Sequence, residues 1–226
     1  MKLIHKEWTF ELVFRENLIQ RVVVEKPEIL TSFVLEMQRW IEGEETGWIL
    51  SEDGKLLKPS KECELILDYF HLDINQRKMI NYLHTRLETE IYESELLLSW
   101  QELNSSMQRL IECGVELVDH DVTYVEPDLK AVLKMLNVSF RSCAESSVER
   151  LMEYQELINE VLGVKLFIMI NATTYFSNQD LLHLYEQAAY KKYYLLLLDA
   201  QWRAISPEKE NIMIIDQDAC VIQKNL

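Results

Sequence analysis

The sequence predicts an α/β head, made of a partly parallel sheet with flanking helices, into which an α-helical leg domain is inserted. Short apolar runs of strand length lie toward both ends of the chain, whereas about forty residues in the middle carry apolar side chains at spacings of three and four. The composition, with 48% hydrophobic and 27% charged residues, is typical of a folded globular protein. We therefore assign residues 1–71 and 161–226 to the head and residues 72–160 to the leg.

The first quarter of the chain predicts short strands around one helix. WTFELVF and QRVVVE flank RENLI, a pattern that indicates a β-hairpin. An amphipathic helix is expected to begin at Pro27 and to end at Gly43. The Asp53-Gly54 pair between apolar arms predicts a second hairpin. ECELILD is either a further strand or the start of a helix.

The middle of the chain is predicted to be helical and strongly acidic. The segment that follows Leu72 indicates two long helices, or one kinked helix, ending near Gly114. PDLKAVLKML predicts a short helix, and SSVERLMEYQELINEVLG predicts a longer one. Residues 72–160 contain 17 acidic and 8 basic residues, so they carry −9 of the formal net charge of −15.

The last third predicts parallel strands. VKLFIMIN and YYLLLLD are apolar runs typical of strands covered on both faces. Between them, Ser177 and Asp180 form the capping-box pattern of a helix. Strand, helix and strand in this order predict a βαβ unit with a right-handed crossover. NIMIIDQ or ACVIQ is expected to supply a final strand.

Several classes of enzyme lack their sequence signatures here. Neither GxxxxGK[ST] nor GxGxxG occurs, and five glycines in the whole chain leave no glycine-rich phosphate loop. GxSxG and HExxH are also absent. Asn171 and Asp199, at the ends of the two apolar strands, are therefore expected to cap the loops that follow. We expect no catalytic residues.

The cysteines and the apolar runs predict a cytoplasmic protein with no membrane partner. Cys63, Cys113, Cys143 and Cys220 are far apart, so we expect them to be reduced and mostly buried. The longest apolar runs are too short to cross a bilayer, and the N-terminus lacks the pattern of a secretion signal.

The stretch VELVDHDVTYVEPDL, residues 115–129, concentrates acids among β-branched and aromatic residues. Three interpretations are open: a solvated turn, a cation site, or a face that meets a partner. Carboxylate oxygens are the ligands that calcium prefers, although the spacing excludes an EF-hand. The five candidate ligands are Glu116, Asp119, Asp121, Glu126 and Asp128.

The basic residues are fewer, and six of them form two groups. The net charge of −15 counts against simple nucleic-acid binding, for which a basic domain is usual. These residues either form ion pairs on the protein surface or contact DNA phosphates. Contacts to phosphates carry no sequence information. The candidates are Lys55, Lys58, Lys61, Lys130, Lys134 and Arg141.

The order of segments over essentially the full chain resembles a known family. The segments that carry the likeness are VKLFIMINATTYFSNQDLLHLYE, YYLLLLD and IIDQDACVI, supported by LDIN before YLHTRLETE and by the acidic turn before a short helix. They resemble the CRISPR-associated adaptation proteins of type II-A systems, small ring-forming proteins that bind ends of double-stranded DNA. The likeness consists of distributed hydrophobic order and a few polar anchors.

This resemblance implies a function for the chain. Members of the family form homotetrameric rings whose basic central hole encircles duplex DNA, and these rings depend on calcium ions. They act in spacer acquisition together with the integrase and the effector nuclease, and they are not enzymes. The acidic turn matches the family's calcium-binding turn in position, which implies that its five acids are the Ca²⁺ ligands, although here it is longer and includes His120 and Pro127. Fourfold repetition would gather the six basic candidates around the hole.

Two other functions stay open at this point. A metal-dependent nuclease could use the acidic turn, since paired carboxylates that hold metal ions can drive phosphodiester cleavage. Against it, no lysine closely follows paired acids on adjacent strand positions. An adaptor could instead dock the adaptation complex through its acidic helices without contacting DNA.

Overall fold

The computed structural model describes residues 1–8 and 10–224. The chain divides into two compact units. The first combines residues 1–72 with the chain from residue 143 onward, and the second comprises residues 73–142.

The strands and helices follow one another in chain order. The strands are β1 (Lys2–His5), β2 (Glu11–Val13), β3 (Ile19–Val24), β4 (Trp48–Glu52), β5 (Lys55–Leu56), β6 (Cys63–Ile66), β7 (Leu166–Ile170), β8 (Tyr194–Asp199), β9 (Glu210–Ile215) and β10 (Val221–Lys224). The helices are α1 (Pro27–Glu42), α2 (Pro59–Glu62), α3 (Arg77–Tyr92), α4 (Leu96–Val115), α5 (Leu129–Met135), α6 (Ser147–Leu162), α7 (Ala172–Tyr175) and α8 (Asn178–Lys191), with a 3-10 turn at Pro207–Lys209.

A six-stranded sheet forms the centre of the first unit, in the order β10-β9-β3-β8-β7-β6. The five strands from β9 to β6 are mutually parallel, and β10 is antiparallel to β9. Every residue of β3 and β7 is buried. Complete burial of both strands fits a sheet that is covered on both faces, as does the continuous apolar run of β7. The prediction of mixed α/β structure with a partly parallel sheet and flanking helices is confirmed.

The predicted βαβ unit is present. β7 and β8 pair in parallel, from Leu166 opposite Tyr194 to Ile170 opposite Leu198, and α8 connects them. Ser177 caps α8 through the predicted capping box with Asp180. ECELILD contains the edge strand β6, and NIMIIDQ and ACVIQ contribute one strand each.

A second sheet is antiparallel, with the strand order β2-β1-β4-β5. β4 and β5 form the predicted hairpin, and its turn residues Asp53 and Gly54 have φ values of 50° and 77°. Positive φ at both central residues is the reason that Asp-Gly favours this turn.

The predicted hairpin between WTFELVF and QRVVVE is wrong. β2, from the first segment, belongs to the four-stranded sheet, whereas β3, from the second, lies between β8 and β9 in the six-stranded sheet. Among the described residues, the β-pairing between the two arms is limited to an isolated bridge between Arg15 and Leu18, and the side chain of Gln20 donates a hydrogen bond to the carbonyl of Val13 at 2.7 Å. All six residues of β3 are buried, which requires cover on both faces that a two-stranded hairpin cannot provide.

Helix α1 has the predicted limits. Pro27 occupies its first turn, and Gly43 ends it in the left-handed region with φ 99°. Phe33, Met37 and Trp40 are buried in the same apolar core as β1, β4 and the large sheet.

The second unit contains α3, α4 and α5. The long helical segment forms two helices, separated between Tyr92 and Leu96, rather than one kinked helix. The side chain of His84 bonds the carbonyl of Val138 at 2.8 Å, and Asn75 exchanges two hydrogen bonds with the backbone of Phe140. An inserted leg with the limits 72–160 stays a prediction. Helix α6, most of which falls within those limits, belongs to the first unit.

The prediction for the cysteines is wrong in one respect. All four are free, but only Cys63 is buried, whereas Cys113, Cys143 and Cys220 are exposed. Cysteine is a small apolar residue that is usually buried, but these three lie on a helix face or in loops that their own chain leaves uncovered. Across the described part of the chain, no helix is both long enough and apolar enough to traverse a bilayer.

Candidate cation and nucleic-acid interface

The acidic stretch connects α4 to α5 without regular secondary structure. The side chains of its five candidate ligands, Glu116, Asp119, Asp121, Glu126 and Asp128, are all exposed. Asp128 has a structural task, because its Oδ1 accepts a hydrogen bond from the backbone N–H of Ala131 at 2.6 Å and so caps α5.

Aromatic and apolar residues attach this stretch to the helices of its own unit. The hydroxyl of Tyr124 donates to Glu112 Oε1 on α4 at 3.2 Å. Loss of hydration, followed by the charge of Glu112, raises the pKa of Tyr124. Tyr124 and Val125 line a groove of about 370 Å³ together with Leu110 of α4 and Val132 of α5. The acids therefore extend from a stretch that is tied to two helices.

The acids of one chain do not by themselves form a metal site. Across residues 1–8 and 10–224, no three His, Cys, Asp or Glu side chains are grouped so that they could hold a metal ion. The donor type suits calcium, which takes six to eight oxygen ligands, but the placement within a single chain does not supply them. Glu116, Asp119, Asp121, Glu126 and Asp128 could contribute only part of a coordination shell.

The first group of basic candidates lies in the first unit. Lys55 is in β5, Lys58 precedes α2, and Lys61 lies within α2. All three side chains are exposed, and none forms an ion pair with another residue that the structure describes. Their charges are therefore not neutralised by neighbouring carboxylates.

The second group lies in the second unit. Lys130 and Lys134 are both on α5, and Lys130 forms an ion pair with Glu88 of α3 at 2.9 Å. Lys134 and Arg141 are exposed and have no carboxylate partner among the described residues. Five of the six candidates thus have no ion-pair partner among the described residues.

The carboxyl edge of the large sheet is the second place where a ligand could be expected. Asn171 follows β7 with φ 54°, and its Oδ1 accepts a hydrogen bond from the N–H of Ala200 at 2.8 Å. The Asn171 side chain therefore holds the loop that follows β8, and it makes no capping hydrogen bond to α7, the helix that follows β7. The loop between β3 and α1 consists of Glu25 and Lys26 and has no glycine, so its backbone has no phosphate cradle of the P-loop type.

Asp199 belongs to a buried polar cluster that the sequence analysis missed. Arg21 of β3 donates from Nε to Asp199 Oδ2 at 2.9 Å, and its Nη1 lies 3.5 Å from Glu210 Oε2. Thr173 donates to Asp199 Oδ1, and Tyr185 donates to Glu210 Oε1 at 2.7 Å. The one sequence signal was an arginine inside the apolar run of QRVVVE.

The cluster places two buried carboxyl groups beside one guanidinium. Burial raises the pKa of Asp199 and of Glu210, although Arg21 and the hydrogen bonds from Thr173 and Tyr185 oppose this shift. The cluster joins β3, β8 and β9 and is closed to solvent. We assign it to the stability of the sheet, because a buried charge without a partner is strongly destabilising.

The family comparison defines the class of protein. Residues 41–219 match the family described as CRISPR-associated protein (Cas_Csn2). The chain belongs to this family, which confirms the resemblance seen in the sequence. Membership implies a role in CRISPR adaptation, and the family is not known as an enzyme family.

Two curated relatives, both named CRISPR-associated protein Csn2, agree with this assignment. The relative from Enterococcus faecalis is 23% identical over 161 residues, which cover 70% of this chain and 72% of the relative. The relative from Streptococcus agalactiae is 21% identical over 184 residues, which cover 78% of this chain and 79% of the relative.

Proposed function

We propose that this protein is a non-catalytic, calcium-dependent protein that binds double-stranded DNA at its ends, forms a homotetrameric ring and supports CRISPR spacer acquisition. The observation that carries the proposal is the family match over residues 41–219. The integrase and the effector nuclease of the CRISPR system are its proposed protein partners.

The unpaired cations support DNA binding. Lys55, Lys58, Lys61, Lys134 and Arg141 are exposed and lack carboxylate partners within the described residues. Contacts from such side chains to phosphates are independent of sequence and weaken with salt, because binding releases condensed counterions. This is the behaviour that a protein that binds DNA ends of any sequence requires.

Self-association explains how an acidic chain could bind an acidic polymer. Each copy carries a formal charge of −15, so the cations must be gathered on an inner surface while the acids face away from the DNA. A ring with fourfold repetition would concentrate the same few cations around one duplex. A closed ring would also require a free DNA end for loading.

Calcium is proposed as the ion that the acidic stretch holds. Since one chain does not group enough ligands, the remaining oxygen ligands would come from water or from a second copy. The ion would offset repulsion among Glu116, Asp119, Asp121, Glu126 and Asp128. Calcium binding and assembly would then be coupled.

A charge-matched pair of variants tests DNA binding. We expect the triple substitution Lys55→Ala, Lys58→Ala and Lys61→Ala to weaken retention of linear duplex DNA in a filter-binding assay and to reduce its salt dependence, by about 0.9 in the slope of log K against log salt per lost phosphate contact. The control is a triple variant in which Lys2, Lys191 and Lys209 are replaced by alanine; each of these lysines is paired with a glutamate.

The two variants lose the same charge, so their comparison separates local contacts from net charge. Equal weakening in both would contradict the assignment of Lys55, Lys58 and Lys61 to the DNA surface. An absence of salt-sensitive retention in the unmodified protein would contradict DNA binding itself and favour an adaptor that touches only proteins.

A further inference from the structure

Two aromatic side chains lie exposed beside each other at the carboxyl edge of the large sheet. Phe70 follows β6 and has 55% of its surface exposed, and Tyr175 is the last residue of α7, which follows the neighbouring strand β7, with 53% exposed. Their ring centroids are 5.6 Å apart, and the ring planes are inclined at 88°. Single exposed apolar residues are ordinary on a protein surface, whereas contiguous ones mark an interaction site. We call this pair the aromatic corner.

A buried tyrosine holds the aromatic corner against the sheet. The hydroxyl of Tyr69 donates a hydrogen bond to the carbonyl of Ile170, the last residue of β7, at 2.8 Å. The ring of Tyr69 is buried and lies 5.6 Å from the ring of Tyr175 and 5.1 Å from that of Phe176. The corner is therefore preorganised, and a preorganised surface loses little conformational entropy when it binds a partner.

Asp68 fixes the turn that carries Phe70 and adds a negative charge to it. Its Oδ1 accepts hydrogen bonds from the N–H groups of Phe70 and His71 at 2.8 and 3.3 Å, and its Oδ2 accepts one from His71 Nδ1 at 2.7 Å. The N–H of Phe70, followed by the side chain of His71, lowers the pKa of Asp68, so the carboxylate is ionised at neutral pH. An ionised carboxylate offers about four acceptor positions. The described residues use three of them, so one position on Oδ2 stays available.

Two aromatic rings and a carboxylate together select a cationic group. The face of an aromatic ring attracts ammonium and guanidinium groups, and a guanidinium can both stack on a ring and bond a carboxylate. A purely apolar partner would bury the charge of Asp68 without compensation, and the phosphates of a nucleic acid would be repelled by it. A second copy that presented the same corner would bring two like charges together. The net charge of −15 likewise favours a basic partner.

We propose that the aromatic corner and Asp68 bind an arginine side chain of a basic partner protein. The inference rests on the protein-partner part of the proposed function and names the chemistry of the segment that docks. It involves neither DNA nor calcium nor the association of copies, so it can fail while those parts of the proposed function hold.

Substitutions that leave the net charge unchanged test the aromatic corner in the full chain. The probe is a fluorescein-labelled peptide in which glycines separate three arginines, and the reference peptide carries citrulline, which has the shape of arginine without its charge. By fluorescence anisotropy, we expect the arginine peptide to bind more tightly than the citrulline peptide. The double variant Phe70→Ala and Tyr175→Ala should weaken binding of the arginine peptide roughly fivefold, because both cation–π contacts are lost. The control Tyr190→Ala should leave the affinity unchanged, because the ring of Tyr190 is 80% exposed and already lies under Lys191 of its own chain.

A separate substitution tests the carboxylate. Asp68→Asn keeps an oxygen that can accept the backbone hydrogen bonds of the turn, but its loss of charge should weaken binding of the arginine peptide about threefold. Glu208→Gln is the matched control, because it removes the same charge from an exposed position elsewhere. Circular dichroism checks that every variant remains folded.

The outcomes separate the possible occupants of the corner. Unchanged affinity for the arginine peptide in the Phe70 and Tyr175 double variant, or an equal loss in Tyr190→Ala, would overturn the proposal. If the double variant instead lowers the mass measured by sedimentation equilibrium, or the retention of linear duplex DNA, while peptide binding is kept, the corner contacts another copy or a nucleic acid and the assignment to a basic protein is overturned. An unmodified protein that binds the arginine peptide but retains no DNA would contradict the proposed DNA binding and support the corner.

Discussion

At the scale of single residues, the buried cluster around Arg21 links β3 to β8 and β9, which are distant from it in sequence. Arg21 and Asp199 are 178 positions apart, and their ion pair lies in the interior of the sheet. No local pattern could predict this contact, since it depends on how β3, β8 and β9 are ordered. An isolated arginine in an apolar run indicated that a partner exists, but not which residue it is.

This cluster should make stability depend on pH. Burial raises the pKa of Glu210 above the ordinary value of 4.5, so the folded state holds its proton more tightly than the unfolded state does. The contribution of Glu210 to stability is therefore greatest below pH 4.5 and declines as pH rises through the folded-state pKa. We expect Glu210→Gln to reduce this decline.

Urea unfolding between pH 4.5 and 7.5 measures the effect as a difference in the free energy of unfolding between variant and unmodified protein. The control is Glu208→Gln, because Glu208 is exposed and only two residues away. A Glu210→Gln variant whose free energy of unfolding parallels that of the unmodified protein at every pH would contradict the assignment.

At the scale of elements, predictions succeeded where the signal was local. Proline, glycine and serine at Pro27, Gly43 and Ser177 marked helix ends correctly, because caps involve residues within one turn. The Asp53-Gly54 turn was correct for the same reason. The hairpin between β2 and β3 failed because the choice of strand partner is settled by the whole sheet.

The cap on α5 separates a structural role from a metal-binding role for Asp128. We expect Asp128→Ala to destabilise the protein by about 1 kcal/mol, since it removes an N-cap hydrogen bond. Asp128→Asn should cost less because asparagine also caps helices well. Thermal unfolding without metal measures both variants.

Calcium titration by calorimetry completes this comparison. If Asp128 is also a ligand, Asp128→Asn should weaken calcium binding while stability is kept. Equal destabilisation by the alanine and asparagine variants would contradict the capping role, and unchanged calcium affinity in both would remove Asp128 from the proposed ligands.

At the scale of the whole molecule, the sequence was sufficient for the α/β class and for the family. Both depend on the distributed order of apolar segments, which is readable along the chain. The candidate site was less predictable. Among the described residues, the five acids are exposed and not grouped for a metal ion, and five of the six basic candidates have no ion-pair partner. Exposed charges follow no apolar periodicity, so the sequence pattern could not predict how they are placed.

For the whole molecule, the central proposal is a ring that loads onto DNA ends. A net charge of −15 on each copy opposes any approach of DNA to the outer surface. The proposed DNA binding would therefore depend on an enclosed basic surface and, if the acidic stretch holds calcium between copies, on that ion.

The measurement that tests this claim most directly compares linear and covalently closed duplex DNA of one sequence in a gel-shift assay, first with Ca²⁺ and then with EGTA. A calcium-dependent ring predicts that only linear DNA is shifted and that chelation of Ca²⁺ abolishes the shift. Equal binding to the linear and closed forms would contradict loading through a free end.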